Sequence, residues 1–218
     1  MKILAVEFSS ETRSVALVEG QRILGRAVEI GGRQTRSFAL IDSVLKEAGH
    51  DRDVIECIAV GLGPGSYAGI RAAIALAQGW QLARGVTVLG LNSVECLAAQ
   101  ARANGIHGAL HFLIDAQRNE FYCGSANPGS PDAVGPLRLI SRDEAKKLAA
   151  TEIVVEPSLT SLFPGARVMV PDAATLGQLA ATRTGFVGAE QLEPVYLRAT
   201  SFVKAPPPRH IPAPNPKT

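Results

Sequence analysis

Between Gly61 and Arg84 the sequence reads GLGPGSYAGIRAAIALAQGWQLAR, a glycine-rich turn that runs straight into a segment with almost no polar surface. Gly61, Gly63, Gly65, Gly69 and Pro64 stand between an apolar run ending at Val60 and a long Ala-rich stretch. That order predicts strand, tight loop and helix, with Ser66 as the helix N-cap. At about 100° per residue, Arg71, Gln78 and Gln81 fall within an arc of roughly 80°, and everything else from Ala68 to Ala83 is apolar or glycine. A helix that covers a single sheet needs an apolar stripe only slightly wider than ~100°. The excess predicts a helix buried twice, once in its own fold and once against another protein. Ala72, Ala75, Leu76 and Gly79 are the candidates for the second contact, together with Ile41 and Leu45 of a helix expected at Gln34–Ala48.

The 218 residues can hold one large domain or two lobes of about 100 residues each. Hydrophobic residues make up 46% and charged residues 19%, enough for a real core. A net charge of +2 is too balanced for an electrostatic nucleic-acid binder, and Arg22, Arg26, Arg33 and Arg36 make only a loose basic scatter. No apolar run reaches the ~18 residues of a membrane span without Gln or Arg interrupting it. The opening MKILAVEF has the run of a strand and lacks the h-region and cleavage site of a signal peptide, so the expected location is cytoplasmic. Cys57, Cys96 and Cys123 are isolated thiols with no CxxC pairing, which fits small buried hydrophobes in a reducing compartment.

Taken in order, Lys2–Phe8, Ser14–Val18 and Arg22–Glu29 read as antiparallel strands, followed by the helix Gln34–Ala48 that Gly49 ends. Ile55–Val60 is a buried strand, then come the loop and apolar helix, a strand at Val86–Leu91 and a helix at Ser93–Ala103 capped by Asn92 or Ser93. Asn104–Gly108 reads as a lobe boundary. Leu110–Ile114 and Asn119–Gly124 form a second hairpin, and Ser141 with Glu144 makes a capping box for a helix at Arg142–Ala150. Short strands at Glu152–Val155 and Ala166–Val170 precede a helix at Ala173–Arg183 capped by Asp172. The domain expectation is a first lobe over 1–104, a smaller second lobe over 105–203 and a Pro-rich disordered tail over 204–218.

Four stretches, VEFSSETRSVALVE, GLGPGSYAGIRAAIALAQG, LIDAQRNEFY and EPVYLR, together resemble the TsaB (YeaZ) family over nearly the whole chain to about Arg198. The resemblance implies an α/β fold of the actin-like ATPase class, with two ribonuclease-H-like lobes, each a mixed sheet flanked by helices. It implies a non-catalytic scaffold that dimerises and pairs with TsaD, joined by TsaE in a ternary complex. That complex makes threonylcarbamoyladenosine next to the tRNA anticodon, so tRNA is met through the complex. In the family the first two helices form the pairing surface, which here are Gln34–Ala48 and Ala68–Arg84. No cofactor is expected to bind tightly, with ATP or ADP at the TsaD interface as the one exception.

Little in the sequence supplies chemistry of its own. TsaD holds its metal with an HxxxH pair, and Ser93 and Leu97 occupy the matching positions here, where leucine cannot ligate. His107 and His111 lie at a strand entry, where a rise of about 3.3 Å per residue would hold them roughly 13 Å apart, too far to share an ion. Neither Glu7-Phe8-Ser9-Ser10 nor Asp115-Ala116-Gln117-Arg118 offers the glycine that lets backbone N–H groups reach a phosphate. Glu7 stands where the family has Asp and reads as a strand-end charge tied to a nearby arginine. The glycine loop is neither a Walker A, for want of Lys-Ser/Thr, nor a Rossmann turn, nor a nucleophile elbow. Its Gly63, Gly65 and Ser66 are divided between tight packing and a nucleotide or anion contact. The alternative to a scaffold is an actin-like ATPase or small-molecule kinase using Glu7 and Asp115; a peptidase is weaker, because no triad or metal set can be assembled.

Overall fold

The computed structural model describes residues 1–31, 36–127, 134–148 and 152–197. Strands β1 (Lys2–Glu7), β2 (Thr12–Glu19) and β3 (Arg22–Ile30) form an antiparallel meander, with Leu4 opposite Leu17 and Ala16 opposite Arg26. After helix α1 (Ser37–Ala48) the chain adds β4 (Cys57–Gly61) parallel to β1. Helix α2 (Tyr67–Arg84) then leads to β5 (Thr87–Leu91), parallel to β4, for a sheet order β3-β2-β1-β4-β5. Helix α3 (Ser93–Ala103) follows.

The second sheet repeats that plan. Strands β6 (Leu110–Asp115), β7 (Glu120–Ala126) and β8 (Arg138–Ser141) are antiparallel neighbours. After helix α4 (Arg142–Leu148), β9 (Ile153–Val155) lies parallel to β6 and β10 (Arg167–Val168) parallel to β9. The order β8-β7-β6-β9-β10 is therefore the first sheet's order in shorter form. Two mixed sheets of like topology, each flanked by helices, make the paired-lobe architecture of the actin-like fold. The hairpin spacing did not disclose β8, because it follows a Pro- and Gly-rich loop and alternates for only four residues.

The expected caps are present. Ser66 Oγ accepts the Gly69 N–H (3.3 Å), Asn92 Oδ1 the Val94 N–H (2.8 Å) and Asp172 Oδ1 the Thr175 N–H (3.0 Å). Glu144 Oε2 accepts the Ser141 N–H (2.9 Å) while Ser141 Oγ accepts the Glu144 N–H (3.3 Å), closing the capping box.

The expected division at residue 104 is corrected by the packing. Helix α5 (Ala173–Ala180) returns to the first lobe, where Ala173, Ala174, Leu176 and Ala180 share a core with Ile3, Ala5, Ala16 and Val18. Gly177 permits this, since a Cβ there would lie 2.7 Å from Val18 Cγ2. Val187 then forms an antiparallel bridge with Val88. Helix α3 belongs to both lobes: Cys96 packs with the first sheet and α5, while Val94, Leu97, Ala98 and Ala101 pack on Leu110, Phe112 and Val154 of the second. Sequence order misassigns α5 because a helix with small residues on one face is compatible with either sheet. The tail from 198 onward, residues 34–35 of the expected first helix, residues 149–150 of the fourth and Arg33 fall outside the described residues.

Candidate functional site

Three features carry the functional candidates: the sealed end of β1 beneath the glycine loop, the cleft between the lobes, and the outer face of α2. Glu7 ends β1 and is 0% exposed. Its Oε1 accepts the N–H of Ser9 (2.8 Å) and its Oε2 accepts the hydroxyl of Ser93 (2.8 Å), whose oxygen in turn accepts the Gly63 N–H (3.2 Å). Burial pushes its carboxyl above the ordinary carboxylate range, against the lowering effect of these donors. Among the described residues its hydrogen-bond partners are the Ser9 N–H and the Ser93 hydroxyl, with no arginine. The reading of Glu7 as a charge tied to an arginine is thus corrected: it is an enclosed acid that braces the loop.

The glycines serve close packing. A Cβ on Gly61 would lie 2.0 Å from Glu7 Oε2, on Gly65 2.0 Å from the Ser9 carbonyl oxygen and on Gly69 2.0 Å from the Phe8 carbonyl oxygen. Three of the loop donors are committed within the chain: Gly63 N–H to Ser93, Ser66 N–H to the Ser9 carbonyl (2.6 Å) and Gly69 N–H to Ser66. Of the two roles left open for Gly63, Gly65 and Ser66, the close approaches of the two glycines and the Ser66 cap supply the packing one. Ser93 and Leu97, where TsaD would place its metal ligands, are likewise used internally: Ser93 holds Glu7, and Leu97 is 3% exposed in the core beneath the second sheet. Among the described residues no group of three or more His, Cys, Asp or Glu is placed to hold a metal ion. Cys57, Cys96 and Cys123 are all buried, and burial raises each thiol above its ordinary pKa.

The cleft has a volume of about 820 Å³ and is lined by Ser9, Ser10 and Glu11 of the first hairpin turn, Gly65–Tyr67, Asp115–Arg118, Tyr122, Glu156, Ser158 and Tyr196. Asp115, at the end of β6, accepts the Gln117 N–H at Oδ1 and the Gln117 side-chain amide at Oδ2, both at 2.8 Å. Glu156 Oε1 accepts the Asp115 N–H (3.1 Å), and burial together with the nearby Asp115 and Glu11 pushes its carboxyl up. Gln117, Arg118 and Asn119 are consecutive left-handed residues with φ of 63°, 58° and 61°. The rings of Tyr67 and Tyr196 stand 5.3 Å apart, and Arg71 donates to the Tyr67 hydroxyl and lies over its ring. Sequence reasoning missed the tyrosines. The available signal was that each falls beside a motif: Tyr67 after the glycine loop, Tyr122 in the second hairpin and Tyr196 in EPVYLR.

On α2, Gly69, Ile70, Ala73, Ile74 and Ala77 are buried, while Ala68, Ala72, Ala75, Gly79 and Ala83 are exposed and Leu82 is 91% exposed. In the polar arc Arg71 and Gln78 are exposed and Gln81 is half-buried, and both glutamines bond back to the chain. The side-chain amides of Gln78 and Gln81 donate to the Ala189 and Val86 carbonyls, and Gln81 Oε1 accepts the Ala189 N–H. Beside the bare flank, Phe38 is 58% exposed, and Phe38, Leu76 and Trp80 line a hollow of about 470 Å³. Arg52, bonded to Asp42 Oδ1 (2.5 Å), lies over both the Phe38 and Trp80 rings. Of the six predicted contact residues, Ala72, Ala75 and Gly79 are exposed and Leu76 is half-buried. Ile41 and Leu45 are 0% and 4% exposed, in the core between α1 and the sheet, so they are corrected to core positions. The sequence pattern could not separate the flanks of α1, because both carry large apolar side chains.

A family model described as TsaD, tRNA N6-adenosine threonylcarbamoyltransferase, matches residues 34–149, more than half of the chain. The chain is 25% identical to the threonylcarbamoyladenosine biosynthesis protein TsaB of Haemophilus influenzae, across 91% of this chain and 94% of that one. It is 32% identical to TsaB of Escherichia coli, across 56% of this chain and 53% of that one. Among solved structures, YeaZ from Pseudomonas aeruginosa superposes with a TM-score of 0.74 at 26% identity, covering 90% of this chain and 99% of that one. The match to the threonylcarbamoyltransferase model over residues 34–149, together with TsaB and YeaZ relatives that run along nine-tenths of the chain, places this chain in the TsaB (YeaZ) family.

Proposed function

We propose that the chain is a scaffold subunit that pairs through the outer face of α2, with a second copy of itself and with a TsaD protein, and has no catalytic role of its own. Family membership supports a role in tRNA threonylcarbamoyladenosine biosynthesis. The observation that carries the pairing is the bare flank of α2, apolar from Ala68 to Leu82 on the side opposite its core contacts. Gly79 sharpens it. It lies within an exposed helix interior with open space where a Cβ would go, a position at which glycine costs about 1 kcal/mol relative to alanine. A backbone brought in close by another helix accounts for that cost. An ordinary stable interface covers ~800 Å² per partner, and the flank together with the Phe38–Trp80 hollow offers a surface of the right kind. In this reading TsaE joins the assembly, tRNA is met through it, and ATP or ADP binds where the two subunits meet.

The test is Ala75→Arg, which adds a long cation where the flank is bare. The expected outcome is a variant with the parent's melting temperature that elutes as a monomer, no longer co-purifies with TsaD and does not support the reconstituted modification. A folded Ala75→Arg that binds TsaD with unchanged affinity would falsify the assignment of this face. The ATPase or kinase alternative predicts metal-dependent ATP turnover by the isolated chain that Asp115→Ala abolishes.

A further inference from the structure

The described fold ends at Leu197, beside the first turn of α2. The Val195 N–H bonds to the Leu62 carbonyl (2.9 Å), and the Tyr196 ring stands 5.3 Å from that of Tyr67. At about 100° per residue, Tyr67 and Arg71 border the bare flank of α2 on one side, and Leu76 and Trp80 border it on the other. Between them Ala68, Ala72, Ala75 and Gly79 are exposed and small. At the far end of the flank lies the hollow of about 470 Å³ with Phe38, Leu76 and Trp80 in its wall. Arg52 and Arg84 at its rim are each paired with an aspartate, Asp42 (2.5 Å) and Asp53 (2.7 Å), so the hollow offers apolar rings rather than unpaired charge.

Residues 198–218 carry a sequence suited to that surface. Phe202 and Val203 are apolar, and Pro206, Pro207, Pro208, Pro212, Pro214 and Pro216 follow them. Proline-rich stretches favour an extended helix of about 3.1 Å per residue with no internal hydrogen bonds, and they dock in grooves lined by aromatic rings. The lengths agree as well. From Tyr67 to Trp80 the α2 axis advances about 20 Å at 1.5 Å per residue, while the stretch from Arg198 to Pro206 reaches about 28 Å when extended. That spans the distance along the helix and its width of about 10 Å.

We infer that residues 198–218 lie back across the bare flank of α2 in the unpaired chain, with Phe202 and Val203 over Ala72, Ala75 and Gly79 and the prolines at 206–208 in the Phe38–Trp80 hollow, and that they leave when a partner pairs there. The docking stands on the surface and the reach; the release rests on the flank being the pairing face. A segment tethered this closely has an effective concentration in the millimolar range, so even a weak contact competes with an incoming partner.

Trp80 is the one tryptophan of the chain, and its fluorescence reads the hollow without a label. The full chain is compared with a full-length variant carrying Phe202→Ser, Pro206→Ser, Pro207→Ser and Pro208→Ser, four positions outside every core cluster described above. In dilute, unpaired protein the variant's Trp80 emission is expected to move to longer wavelength and its quenching by acrylamide to rise. Its affinity for TsaD and for itself should increase about 5-fold, the gain for a contact of roughly 0.25 mM facing an effective concentration of about 1 mM. Identical Trp80 emission and quenching in the two chains overturns the inference. So does an emission shift that follows protein concentration and not the tail sequence, since a second copy then fills the hollow. Tail-dependent emission with both affinities unchanged keeps the docking and overturns the release, which places the fault in the pairing face rather than in the tail.

Discussion

The two lobes place an acid at the same point, the last residue of the strand that opens each sheet, and treat it in opposite ways. Glu7 ends β1 and is sealed, whereas Asp115 ends β6 and lines the cleft. The difference lies in the connection that leaves the neighbouring parallel strand. After β4 the glycine loop folds down so closely that Cβ atoms on Gly61, Gly65 and Gly69 would strike β1 and the turn beyond it. After β9 the chain continues through Glu156, whose carboxylate accepts the Asp115 N–H, into a short 3-10 turn at Pro157–Leu159, and the Asp115 carboxylate is left half-buried with Gln117 as its donor. One topology thus gives a packed brace in the first lobe and an open, charged rim in the second. Glycine content at a single connection decides which.

Substitution at the closing loop is the strongest way to break that comparison. Gly69→Ala puts a methyl 2.0 Å from the Phe8 carbonyl oxygen, and backbone cannot yield as a flexible side chain would. The expected loss is about 3 kcal/mol or more in denaturant unfolding. Gly108→Ala, with nothing within 4 Å of its Cβ, should change stability by less than ~0.5 kcal/mol. Similar costs at both sites would show that the loop is not closed on β1.

A smaller effect separates the acids. Burial raises the Glu7 carboxyl above its unfolded value near 4.5, so the folded chain holds that proton more tightly. The stability this contributes is complete below the unfolded pKa and is lost as pH rises through the folded one. Glu7→Gln should therefore melt near the parent at pH 5 and about 2–4 °C above it at pH 8, the shift ~1 kcal/mol gives in a chain of this size. A variant less stable than the parent at pH 8 would mean the brace works as an anion. The smallest change sharpens the second lobe: Asn119 has φ of 61°, so Asn119→Gly should gain about 0.5 kcal/mol by relieving a left-handed position, read as a slightly higher denaturant midpoint.

Local signals determined much of this molecule. Periodicity and capping residues located the helices, because a cap such as Ser66 or Asp172 bonds to N–H groups within three residues. The apolar surface read on α2 is wider than one sheet contact needs, and the ordered motifs carried the family resemblance. The two-residue β10 and four-residue β8 were harder to read, since so short a run has too few alternations to define a face.

Tertiary structure decided the rest. Only packing showed which flank of α2 is bare, that Gln78 and Gln81 bond to the Ala189 backbone, and that Ile41 and Leu45 are core. Only packing returned α5 to the first sheet and gathered Tyr67, Tyr122 and Tyr196 from three distant segments into one cleft. A sequence states which side chains are apolar and how they repeat along the chain. Which of two apolar surfaces is covered depends on contacts between residues far apart in sequence, and those exist only once the sheets and helices have closed on one another.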